Sequence, residues 1–213
     1  MSNEISADTC WMFLVRHGAT EFNLNCPSIL QGNGVDGPLA DIGRRQAAAT
    51  GEFLSGYPFD AVYSSPMKRA QETAGIIAPD HSIVTVPEII EADVGRWLNR
   101  DWHDIEKTEP EEYRKHLDDP SIYPYPGGES ATDVANRAVP KLTQLLHDNL
   151  GKRILVVAHY IVIRVMIASL YKTPLKYMRM IHLDNCGVTL IKLQDGEPQL
   201  LSANSAFHLQ DVR

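Results

Sequence analysis

The chain has 213 residues, 44% of them hydrophobic, and a formal net charge of −7. That fits one globular domain and argues against non-specific binding to nucleic acid or a membrane surface. No stretch is long and apolar enough to span a bilayer, and the opening Met-Ser-Asn-Glu-Ile-Ser-Ala-Asp lacks the basic-then-apolar order of a signal peptide, so the cytoplasm is expected.

The first predicted element is a strand over Cys10–Val15, a continuous apolar run of the kind buried on both faces of a sheet. It ends on Arg16-His17-Gly18, which places His17 exposed in a crevice outside a strand's carboxyl end, where ligands collect in open α/β sheets. A loop rich in Gly, Pro and Asn follows over Asn25–Leu39. The next helix starts near Asp41 as N-cap, with Ile42, Ala49, Phe53 and Leu54 on its buried side.

Ala61–Tyr63 reads as a short strand. Ser65-Pro66 then reads as a helix start, and that N-terminus is suited to an anion, with Arg69 in the first turn. A strand is expected over His81–Val86 and a helix over Asp101–Leu117. From Asp101 to Pro120 the chain has eight Asp or Glu against three Lys or Arg, the pattern of a solvated helix face. A proline-rich loop over Asp118–Gly128 leads to Ser130, which opens a helix with Asp133 in a capping box. Lys152–His159 repeats the opening design, an apolar strand ending on a histidine, and is followed by the very apolar helix Ile161–Tyr171. Strands at Gly187–Leu193 and Gln199–Ala203 flank the hairpin signal Asp195-Gly196. The three cysteines, Cys10, Cys26 and Cys186, are widely spaced, and the eight histidines show no zinc-ligand spacing. Free thiols and no metal are expected.

These motifs together resemble the histidine phosphatase superfamily, the phosphoglycerate mutase-like group. Arg16-His17-Gly18-x-Thr20 with Asn23 is similar to the family's signature, and Gln31-Gly32 with Asp36, Pro38-Leu39 and Gly43 to its second block. Ser64-Ser65-Pro66-x-x-Arg69-Ala70-x-x-Thr73-Ala74, Glu91-x-x-x-Gly95-x-Trp97, Pro126-Gly127-Gly128-Glu129-Ser130 and Val156-Val157-Ala158-His159 follow in the family's order. The chain departs from the pattern at Leu98-Asn99, where the family often has Glu-Gly, and at Tyr160, where glycine usually follows the second histidine.

The resemblance implies an α/β three-layer sandwich with a mostly parallel central sheet covered by helices. Residues 1–213 are expected to form one domain with an excursion at about 97–128. It implies a metal-independent, cofactor-free phosphatase that hydrolyses a small phosphorylated metabolite through a phosphohistidine. His17 is then the nucleophile, with its second ring N–H held by a backbone carbonyl. Arg16 and Arg69 grip the phosphoryl oxygens with Asn23, Gln31 and the Gly32 N–H, while His159 stabilises the charge in flight. Glu91 is the expected general acid on the leaving alcohol, and Glu88 its rival. Residue by residue, duller roles compete: Arg69 as an exposed helix arginine, Asn23 as a turn residue. Trp97, Trp102, Tyr123, Tyr125 and Tyr160 are candidates for the substrate's other end. The alternatives are a phosphomutase, disfavoured because no Arg-Arg pair with a proline-rich loop lies between Trp97 and Pro126, or a non-catalytic phospho-ligand module. A homodimer through a sheet edge is left open.

Overall fold

In the computed structural model, which describes residues 5–212, strand β1 (Thr9–Arg16) lies inside a six-stranded sheet. The continuous apolar run has a simple cause. Met12 and Leu14 enter the core on one face of the sheet and Phe13 and Val15 the core on the other, so neither parity can be polar. After the four-residue helix α1 (Glu21–Leu24) and the long loop comes α2 (Asp41–Leu54), then β2 (Ala61–Ser64), α3 (Lys68–Ile77) and β3 (Ile83–Thr85). Two further helices, α4 (Trp102–Thr108) and α5 (Pro110–Asp118), precede α6 (Ala131–Asp148), β4 (Arg153–Ala158), α7 (Tyr160–Leu170), β5 (Val188–Gln194) and β6 (Glu197–Ser205).

The sheet order is β3-β2-β4-β1-β5-β6. The first four strands are parallel and the β5–β6 hairpin is antiparallel. Helices α2 and α3 cover one face, α6 and α7 the other, which gives the expected three layers. Helix α7 is buried from Ile161 to Ala168, as a helix apolar nearly all round must be. The Ser130–Asp133 capping box forms, with Asp133 N–H donating to Ser130 Oγ at 3.1 Å and Ser130 N–H to Asp133 Oδ2 at 2.8 Å.

Four local expectations need correction. The N-cap of α2 is Ala40, and its buried line is Gly43, Ala47, Thr50 and Leu54; Phe53 lies outside, 46% exposed and stacked on His208. Helix α3 begins at Lys68, so Pro66 sits before it. The helix expected over Asp101–Leu117 is two, because Pro110 brings no N–H to continue the first and pushes Glu109 out of helical geometry. The acidic run is also more than a solvated face. Glu109 accepts from Arg96 Nε, Arg100 Nη1 and Trp97 Nε1. Burial alone would raise its pKa, yet these bonds hold it down at about 2.

Candidate active site

Strand register builds the floor of the site. In β1 and β4, Arg16 pairs with Ala158, so the next residue of each strand, His17 and His159, comes out level. His17 N–H donates to the Ala158 carbonyl at 3.0 Å, and the two rings lie 5.2 Å apart between centroids. On the other side of β4, Ser64 of β2 pairs with Val157, and Ser65 N–H donates to the Val157 carbonyl. That puts Ser65 Oγ 2.7 Å from His159 Nε2. Three parallel strands thus deliver both histidines and a serine to one edge.

The ring of His17 is set by its neighbour: Nδ1 is 2.7 Å from the Gly18 carbonyl, which can only accept, so Nδ1 carries the proton and Nε2 the lone pair. Gly18 is required because a Cβ there would come within 2.5 Å of the Gly43 carbonyl of α2. His17 is 3% exposed, so the crevice expectation is corrected: it lies in the cavity wall but is nearly buried. Burial first, then the charges of Arg69 and Arg16, push its pKa well below 6.5. His159 is fully buried and shifted the same way for the same leading reason. Both are neutral.

Arg69 is no exposed helix arginine. It is 1% exposed, with Nη1 donating to the Val35 carbonyl and Nη2 to the Gly32 carbonyl. Arg16 donates Nη1 to the Leu183 carbonyl at 2.6 Å, and burial lowers its pKa to about 10, leaving it charged at neutral pH. Among the described residues, three buried nitrogens at this end have no partner: Arg16 Nε, Arg69 Nε and His159 Nδ1. Such orphans are costly unless something else completes them. Asn23 Oδ1 is engaged by Thr20 N–H and Oγ1, and Gln31 Oε1 accepts from Thr20 Oγ1; both side chains line the cavity, as does Gly32. The expected anion site at the α3 N-terminus is not there: the Asp36 carboxylate accepts the Lys68 N–H at 2.6 Å.

Glu91 enters from the loop after β3. It is 8% exposed and lines the cavity, with Oε1 accepting from Ala92 N–H and Oε2 from Ile161 N–H at the start of α7. Its rival Glu88 is exposed and outside the cavity wall. The sequence reading missed the device that holds this loop. Arg137 of α6 donates to the backbone carbonyls of Glu88, Ile90 and Glu91 and binds Glu129 with Nε and Nη2 at 2.8 and 2.9 Å. The signal was Glu129 in the Pro-Gly-Gly-Glu-Ser block, a carboxylate needing a partner.

The cavity measures about 510 Å³. Of the five aromatic candidates, Trp102, Tyr125 and Tyr160 line it, Trp97 is core packed edge-on against Trp102 and Tyr125, and Tyr123 points elsewhere, 41% exposed. His159 is not in the wall; it backs His17. Arg164, Arg179, His116 and His182 also line the cavity, and none was singled out from sequence. The one available clue was Arg164, the sole charge in α7.

A sequence profile of the histidine phosphatase superfamily (branch 1) matches residues 12–206. The chain is 29% identical to phosphoserine phosphatase 1 of Hydrogenobacter thermophilus, over 93% of each. It is 30% identical to a metal-independent phosphoserine phosphatase of Arabidopsis thaliana, covering 98% of this chain and 87% of that one. A mutant phosphoserine phosphatase of Entamoeba histolytica, solved with phosphoserine, superposes with a TM-score of 0.85 at 29% identity over 94% of this chain and 99% of its own. His17, backed by His159, shares its cavity with two arginines and a loop carboxylate, and the profile match over most of the chain means that it belongs to the histidine phosphatase superfamily, whose class of reaction here is phosphoric monoester hydrolysis.

Proposed function

We propose that the protein hydrolyses a small phosphomonoester in two steps through a phosphorylated His17, without a metal. The observation that carries this is the set of buried, unpartnered donors around His17, a neutral imidazole whose Nδ1–H is already committed to Gly18. Nε2 attacks phosphorus, the P–O bond to the alcohol breaks, and Glu91 delivers the proton to the departing oxygen. Arg16 and Arg69 bind the equatorial oxygens through their remaining N–H groups. We assign His159 the tautomer in which Nε2 accepts the Ser65 Oγ–H and the proton sits on Nδ1, the unpartnered atom, which then serves as a neutral donor. Water then gives its proton to Glu91 and its oxygen to the phosphoryl group, releasing inorganic phosphate and free His17.

A 510 Å³ cavity suits a metabolite. Relatives named for phosphoserine make a phosphorylated hydroxy acid the first substrate class to try. The decisive measurement is phosphate release by purified protein from an aryl phosphate and a metabolite panel, with acid quench of a radiolabelled substrate. An acid-labile phosphoenzyme is expected, absent in His17→Ala, whose turnover falls by about 10⁴-fold or more. Turnover persisting in His17→Ala overturns the proposal.

A further inference from the structure

Helix α7 buries one charged side chain, Arg164, 8% exposed, on a segment otherwise apolar apart from Tyr160 and Ser169. A buried guanidinium is normally matched by a carboxylate. Among the described residues Arg164 has none within ion-pairing distance. Its Nε donates to the Ile181 carbonyl at 2.6 Å, and Nη2 donates to Tyr160 Oη at 2.5 Å and to the Arg179 carbonyl at 3.2 Å. Nη1 has no hydrogen bond among the described residues, and the side chain forms part of the cavity wall.

Its position relative to the phosphoryl end is fixed by Tyr160. Arg164 Cζ is 3.8 Å and Arg16 Cζ 4.6 Å from the centroid of that ring, so the two guanidinium carbons are at most 8.4 Å apart. Four arginines line the cavity, Arg16, Arg69, Arg164 and Arg179, against one carboxylate, Glu91. A phosphoryl dianion on Arg16 and Arg69, with Glu91 holding the proton that it delivers to the leaving group, leaves Arg164 uncompensated, and Arg179 is exposed to solvent. One buried guanidinium with a single free nitrogen, Nη1, a short molecule's length from the phosphoryl site, suits one further anion of single charge.

We propose that Arg164, steadied by Tyr160, binds a carboxylate of the substrate, so that the substrates are short phosphorylated carboxylic acids. The proposal rests on the phosphatase reading above. It is tested on the intact protein with two ester pairs that differ at the carboxylate: phosphoserine against phosphoethanolamine, and 3-phosphoglycerate against glycerol 3-phosphate. For at least one pair, kcat/KM for the acid exceeds that for its partner by about 10- to 100-fold, the worth of one charged hydrogen-bonded pair. Arg164→Met shrinks that ratio to about threefold or less, mainly by raising KM for the acid. A merely structural Arg164 would depress both members equally. Either equal depression or hydrolysis without preference in both pairs overturns the proposal. The wild-type ratios need no variant and decide alone should Arg164→Met misfold. No phosphate release from any ester, an aryl phosphate included, counts instead against the phosphatase reading.

Discussion

The two ends of the cavity are built by different means. At the inner end Arg16, His17, His159 and Ser65 follow directly from strands β1, β4 and β2, whose hydrogen-bond register leaves them no freedom of relative position. At the outer end Trp102, His116, Leu117, Arg164, Met178 and Arg179 come from separate helical segments, set by side-chain packing and side-chain hydrogen bonds such as Arg179 to the Leu117 carbonyl and Arg164 to the Ile181 carbonyl. A sheet edge can fix the geometry of one phosphoryl unit, which every substrate of the class shares. Side-chain contacts between separate segments can change with the rest of the substrate.

Glu91 stands where the two ends meet, and its removal gives the largest split between substrates. Glu91→Gln is expected to slow alkyl phosphates, whose leaving groups need a proton, by about 10²- to 10⁴-fold, while aryl phosphates with acidic leaving groups lose little. Steady-state rates on a series of esters of graded leaving-group pKa measure this. Equal losses across the series remove Glu91 from proton transfer.

At the inner end the expected response is blind to the leaving group. Arg69→Lys keeps a positive charge but cannot bridge the Val35 and Gly32 carbonyls and still face the phosphoryl oxygens. A fall of about 10²- to 10³-fold in kcat is expected, the same for aryl and alkyl esters. A fall confined to one ester type would mean that the inner end does take part in specificity.

This contrast also explains what was legible in the sequence. The apolar runs ending in His17 and His159 announce themselves locally, because a strand buried on both faces has no polar position until its end. Arg69 and Asp36 were visible as motif members, but the role of Asp36 was not: that it takes the Lys68 N–H, and so occupies the helix end assigned to the anion, depends on a contact between residues 32 positions apart. Arg137 was hidden for a similar reason. It is the one arginine of α6 and reads as an ordinary polar-face residue until the fold lays the Glu91 loop across it. Pro110 was in plain view and should have divided α4 from α5. Tertiary contacts of this kind leave no periodic trace, so the outer wall could not be read.

The smallest effect expected concerns stability, and it probes the inner end alone. His17 and His159 are neutral in the folded protein because burial, reinforced by the neighbouring arginines, holds their pKa values well below 6.5. In the unfolded chain each titrates near 6.5. Above that pH both states carry neutral imidazoles and the full stability is present. Below it the unfolded chain takes up protons that the folded protein refuses, so stability falls as pH falls, by about 1.4 kcal/mol per pH unit for each such histidine. Denaturant midpoints at pH 7, 6 and 5 follow this. His116 and His208 are shifted the same way by burial, so His17→Gln removes one of several refusing sites, and the decline with acid is shallower by that single-histidine slope. Were both proteins to decline in parallel, His17 would be accepting a proton in the folded state. It could not then serve as the proposed neutral nucleophile at mildly acidic pH, and the distinction between an inner end set by strand register and an outer end assembled from separate segments would fail where it is sharpest.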